Sequence, residues 1–182
     1  QLRDFMAGQS WFDPVQHRID PPAGTPMHWS RLVDLPLVLV AMLLGEQAAI
    51  VLVPLLTLGV LMGAVGKLAA RLLGSGAVLY ACLICGFVPA LVAQIQPLRI
   101  DHHGWQAVCV AIALLALSRS DSHKGGLAAG AAMAVGLTIS VEVLPLSAAF
   151  AAVLAWRWWR DPRQVLWLVR YLQSLAGGLL IL

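Results

Sequence analysis

The sequence predicts an all-α fold, a polytopic bundle of transmembrane helices, and three observations point that way. Of its 182 residues 60% are hydrophobic and 12% are charged, against about half and a quarter in a soluble domain. Apolar runs recur at 48–66, 77–95, 105–118, 126–141, 143–156 and 165–182, giving about six spans. Basic residues fall on alternate connections between these runs, as they do in membrane proteins with cytoplasmic loops on one side.

Residues 1–47 form an external loop with an interfacial helix, and 48–182 form the bundle. The polar loop carries Trp11, Phe12, Asp13, His17, Arg18 and Asp20, and Pro21, Pro22, Gly24 and Pro26 preclude a continuous helix. Trp11, Phe12 and Trp29 have the amphipathic character of a membrane interface. The apolar run at 32–44 is too short to span and carries Asp34 and Pro36, so a helix over about 30–44 lies at the interface. Residues 126–156 read as two helices broken near Glu142 and Pro145. The start at Gln1, within the helical-looking QLRDFMAG, and the stop inside SLAGGLLIL read as a bundle truncated at both ends.

Charge fixes the faces. Lys67, Arg71, Arg119, Lys124, Arg157, Arg160 and Arg163 share one side, which is the cytoplasmic one. The opposite side receives residues 1–46, the stretch RIDHHGWQ (99–106) and Glu142. A net charge of +3 with scattered basic residues excludes a nucleic-acid surface. Cys82 and Cys85 have redox spacing but sit in an apolar run without a βαβ setting, and read as small packing residues. The GGLAAGAAMAVG stretch has the small-residue spacing of a helix–helix contact, and Arg157-Trp158-Trp159-Arg160 is an interfacial anchor.

Asp101 and His103 are alternate residues of a tight loop, able to direct a carboxylate and an imidazole at one ion. The oxygen ligand suits Mg²⁺ or Mn²⁺, and the imidazole tilts the choice toward Mn²⁺. Arg99 beside them offers a guanidinium fork to phosphate. A helix cap by Asp101 explains the same residue and is compatible with ligation. Glu142 is an ionisable residue in a hydrophobic run, a functional candidate on cost alone, or a water-exposed helix end. His28 and Arg31 open the interfacial helix, where Arg31 can also pair with Asp34 at i,i+3.

The order of these elements resembles the oligosaccharyltransferase catalytic subunit, above all its single-subunit archaeal and bacterial forms, within the GT-C membrane glycosyltransferases. The resemblance is carried by PMHWSRLVDLPLVLVAMLLG after a Pro/Gly turn, by the hairpin-like run from Val51 to Val92, by Asp101-His102-His103, and by GGLAAGAAMAVGLTISVE. The loop-to-helix segment and the Asp-His-His motif are its specific parts. It implies a GT-C-like bundle in the bacterial inner membrane with a periplasmic active site. There a divalent metal, Mg²⁺ or Mn²⁺, held by Asp101 and His103 meets the phosphate of a polyprenyl-linked sugar donor. Asp101 and Glu142 are then the catalytic candidates, and Arg99, Arg31 and His28 the phosphate-binding ones. The family's first acidic motif is expected just upstream of Gln1, and its acceptor-reading domain is absent, so the acceptor stays open among protein, lipid and polysaccharide. A transporter using Glu142 and the histidines as an ion or proton relay is the alternative. Polar residues gathered on one face, rather than at midplane, favour the enzyme.

Overall fold

Prolines and glycines decide where the helices of this chain stop. The computed structural model describes residues 2–182; Gln1, at the head of QLRDFMAG, lies outside the described residues. Helix α1 covers Leu2–Met6, and the polar loop after it closes on a small antiparallel ladder, β1 (Val15–Gln16) with β2 (Thr25–Pro26). A 3-10 turn at Arg31–Val33 leads into α2 (Asp34–Leu44), the expected short helix before the bundle. Gly45 takes a φ of 87°, a left-handed region that side chains avoid, and separates α2 from α3 (Glu46–Leu73).

Helix α4 (Val78–Phe87) and α5 (Pro89–Ile95) together occupy the run read as one straight span. They bend by 72° because Val88, ahead of a proline, is held extended. Helix α6 (His103–Leu117), α7 (Ser122–Ile139), α8 (Leu144–Arg160) and α9 (Val165–Ile181) complete the chain. The break expected near Glu142 is present: extended Ser140 ends α7, and a 3-10 turn at Val141–Val143 carries Glu142 into α8.

The fold is all-α apart from the two-residue ladder, and the expectation of six spans is met only in part. Three stretches, Glu46–Leu73, Val141–Arg160 and Pro162–Ile181, are long and apolar enough to cross a membrane, or four if the bent α4–α5 pair counts as one. The reason is length and composition. Fifteen-residue α6 reaches only about 22 Å, short of a ~30 Å hydrocarbon core, and α7 opens on Ser122-His123-Lys124 and is rich in glycine and alanine.

The helices run alternately between two ends. At one, Arg71 of α3 donates to the Leu115 carbonyl (2.7 Å) and the Ser118 hydroxyl (3.1 Å) closing α6. At the other, the Leu98 N–H bonds the Ile50 carbonyl (2.9 Å), and the Ser30 N–H bonds the Ile139 carbonyl (2.8 Å). The loop residues 28–33 are thereby fixed to the end of α7, with Val33 packed among Cys109, Ile139 and Trp105.

The tightest packing is α7 on α9, where the GGLAAG segment lets backbones meet, as its small residues predict. Tyr171 of α9 is fully buried there, and its hydroxyl donates to the Ser147 carbonyl at 2.9 Å. Cys82 likewise lies against Gly66 as a packing residue. A methyl group on Gly130 meets the Tyr171 carbonyl at 2.2 Å, and this neighbour is rigid backbone. Gly130→Ala should therefore cost about 1–3 kcal/mol, lowering the thermal midpoint of the detergent-purified protein. Gly63→Ala, which adds its methyl in open space on α3, should leave that midpoint unchanged or raise it.

Candidate functional site

Three segments distant in sequence meet at the end of the bundle where α6 begins. The loop before α2 brings His28 and Trp29, the turn before α6 brings Arg99 to His103, and the turn before α8 brings Glu142. Each is placed by a local device. Ser30 accepts the Leu32 N–H and starts the first 3-10 turn. Asp101 Oδ1 accepts the His103 N–H at 3.2 Å and starts α6. Ser140 accepts the Glu142 N–H and starts the second 3-10 turn. These side-chain acceptors satisfy backbone donors that a helix start leaves open.

His102 stands at the centre, wholly buried. Its Nε2 lies 2.8 Å from Glu142 Oε2, so the carboxylate accepts and the ring carries its proton on Nε2. Trp29 stacks on the imidazole at a centroid distance of 4.9 Å and an interplanar angle of 22°. His28 meets it edge-on at 5.1 Å, and His28 Nε2 lies 3.5 Å from the other oxygen, Glu142 Oε1. Gln106 Nε2 adds a contact to Oε2 at 3.3 Å. Burial pushes the His102 pKa down, and this outweighs the opposing pull of Glu142, so the ring is neutral at pH 7. Its Nδ1 is then an acceptor that finds no hydrogen-bond donor among the described residues.

Beside this group, Arg99 Nε donates to Asp101 Oδ2 at 2.6 Å. Burial alone raises the Asp101 pKa, but the Arg99 bond and the His103 N–H overcome it and hold the carboxyl below its ordinary value. Asp101 Oδ1 and His103 Nδ1 are 3.3 Å apart, and that nitrogen also makes no hydrogen bond. Adjacent ligands of an octahedral ion with 2.0–2.1 Å bonds stand roughly 3 Å apart, so the pair fits two positions around Mg²⁺ or Mn²⁺. The ligand atoms of His28, His102 and Glu142 also lie within 4.8 Å of one another. That is wider than the roughly 3.3 Å of a tetrahedral ion, and their shorter contact is already a hydrogen bond. The Asp101–His103 pair is the better metal geometry.

No family model, curated protein or solved structure matches this chain. Its chemistry therefore rests on this geometry.

Of the residues singled out from sequence, Arg99, Asp101, His103, Glu142 and His28 come together here. Arg31 does not join them. Its side chain is 1% exposed, donating to the Ser10 carbonyl at 3.1 Å and to the Asp13 carbonyl, and lying 3.5 Å from Asp34 Oδ2. Phe5 covers its guanidinium at 4.8 Å. With its donors turned onto the loop, Arg31 is a clasp for residues 10–34 and is removed from the phosphate-binding set. His102 and Trp29 are the residues that sequence reasoning missed. The spacing of the turn picks out His103 rather than His102 as the partner of Asp101, and the amphipathic ring of Trp29 assigns it to the membrane interface. The signal was available in the placing of His28, the histidine pair and Glu142 on one face.

Two outcomes follow. Arg31→Leu should cost about 3–5 kcal/mol, the range for breaking a buried ion pair, and open residues 10–30 to limited proteolysis without any substrate present. His102 binds its proton less readily folded than at the ordinary value of about 6.5, so the unfolded chain takes up more protons between the two values. Its stabilising contribution is full above about pH 6.5 and is lost as pH falls through the lower folded value. The thermal midpoint should fall on acidification from pH 7 to 5, and fall less in His102→Gln.

Proposed function

We propose that this chain is part of a membrane glycosyltransferase of GT-C type. It transfers a sugar or oligosaccharide from a polyprenyl-phosphate-linked donor to an acceptor at the periplasmic face of a bacterial inner membrane. One observation carries the reading: a guanidinium, two carboxylates and three imidazoles converge at one end of a set of apolar helices. A phosphate attached to a lipid is the substrate that needs cations at that border and apolar surface beside it. A relay through the membrane would need groups near midplane, and the polar cluster is at an end.

Each residue then has a task. Arg99 is half-buried and reaches phosphate oxygens by rotating off Asp101. His28, largely exposed, offers a second donor. Asp101 and His103 would hold a divalent ion, Mg²⁺ or Mn²⁺, through one carboxylate oxygen and one imidazole nitrogen. The chemistry supplied there would be charge neutralisation of the departing polyprenyl phosphate. The acceptor attacks the anomeric carbon, the bond from that carbon to phosphate oxygen breaks, and the acceptor loses a proton. Glu142 is the group assigned to take it: its side chain is 46% exposed, and its Oε1 lies 3.5 Å from His28 Nε2. His102 and Gln106 fix the other oxygen and so aim the carboxylate. The helices α3, the bent α4–α5 pair and α6 to α9 would make six passes, with α6 and α7 sheltered among their neighbours.

Transfer from a polyprenyl-linked sugar by the full-length protein, with Mn²⁺ or Mg²⁺ titrated, tests this. Asp101→Asn should abolish transfer, His103→Ala should raise the metal requirement, and Glu142→Gln should lower turnover by about 10²-fold or more with little change in metal demand. Full activity of Asp101→Asn in excess chelator would leave Asp101 a helix cap and remove the reading.

A further inference from the structure

A cavity opens beside Trp29, between the N-terminal loop and the end of α7. It measures ≈ 340 Å³, and its walls include Trp11, Phe12, Met27, His28, Trp29 and Thr138. The neighbouring cavity of ≈ 400 Å³ holds Arg99 and Asp101 together with Leu98 and Ile100, and shares Trp29 and Met27 with the first. The two therefore differ in kind. The neighbour couples an ionic pair to exposed aliphatic side chains, Leu98 at 68% and Ile100 at 39%, which suits the junction of a phosphate and a lipid. The ≈ 340 Å³ cavity is walled by three aromatic side chains and the His28 imidazole, with Leu32 and Leu182 beside them.

We infer that the cavity between Trp11, Phe12 and Trp29 receives the sugar ring of the lipid-linked donor, an inference that rests on the function proposed above. A phosphate in such a donor has two substituents. The lipid belongs with the apolar helices, so the carbohydrate must leave on the other side. The walls of this cavity come mainly from the N-terminal loop, at residues 11–14 and 27–32, joined by Thr138 of α7 and Leu182 at the end of α9. The volume lies at the small end of ligand sites, room for one ring rather than an extended glycan. Flat apolar walls fit the C–H face of a pyranose, and His28 stands where it meets both a ring hydroxyl and the phosphate. Phe12 is 89% exposed, a large aromatic with little packing of its own, in a loop whose backbone Arg31 holds fixed through the Ser10 and Asp13 carbonyls on either side. Trp11 packs on Phe5 at a tilt of 59°, with 6.0 Å between ring centroids, and also lines the cavity.

The test measures equilibrium binding of radiolabelled lipids to the full-length protein in nanodiscs. The probes are bare polyprenyl phosphate and the same lipid carrying glucose, galactose, mannose or N-acetylglucosamine. At least one glycosylated lipid should bind more tightly than the bare one. Phe12→Ala and Trp11→Ala should each weaken that binding by roughly three- to tenfold and leave the bare lipid unaffected, and Trp11→Phe should restore most of it. Because Phe12 is exposed, its variant should fold as the parent does. Equal losses for bare and glycosylated lipids would place the lipid in the cavity and overturn the inference, as would unchanged binding in both variants. No preference for any glycosylated lipid would overturn it while leaving the phosphate site standing. Failure of the parent protein to bind even bare polyprenyl phosphate would remove both.

Discussion

The hydrogen bond between buried His102 and Glu142 holds the polar end of this protein together. It joins the turn before α6 to the turn before α8, and Trp29, stacked on the imidazole, brings the N-terminal loop to the same point. A charged-to-neutral hydrogen bond of this kind contributes about 1.5–3 kcal/mol, more than a neutral one. The stacking adds about 0.5–1.5 kcal/mol. What these contacts fix is geometry as much as stability. Glu142 turns its second oxygen to His28 at 3.5 Å, and His103 links it to Asp101, with Nε2 3.9 Å from Glu142 and Nδ1 3.3 Å from Asp101.

The apolar part of the chain makes this arrangement possible by a different physics. In lipid the drive to bury apolar surface is absent, so close backbone approach does the holding. Gly125, Gly126 and Gly130 bring α7 against α9 until an added methyl collides with backbone or an indole ring. Because α7 is pinned there, its end at Ile139 is a fixed post on which Ser30 hangs the loop. Packing in the helices and hydrogen bonding in the cap are therefore in series: the small-residue contact positions the carbonyl, the carbonyl positions the loop, and the loop positions Trp29 and His28.

Much of the fold was legible because its signals are local. Hydropathy runs gave the helices, Glu142 and Pro145 marked the break, and Asp34 with Pro36 marked the short helix before the bundle. The bend at Val88-Pro89 carried an equally local signal, proline after an extended residue, hidden by the apolar run around it. The site was half legible. Asp101 and His103 were visible as alternate residues of one turn, and the structure keeps them paired. His102 was not, since two adjacent histidines give no hint of which ring points inward. That depends on Trp29 and Glu142, which are 73 and 40 positions away. Arg31 misled for the opposite reason: a cation at an external helix start reads as available, and only the folded loop turns it onto the Ser10 and Asp13 carbonyls.

The most direct measurement of this account is a double-mutant cycle on His102 and Glu142, with unfolding free energies taken for His102→Ala, Glu142→Ala and the pair. Residues sharing a half-buried charged hydrogen bond should show a coupling of about 1–3 kcal/mol. The double variant would then be little less stable than His102→Ala alone. Effects that add to within about 0.5 kcal/mol would show that the two side chains do not depend on each other, and the polar end would need a different centre.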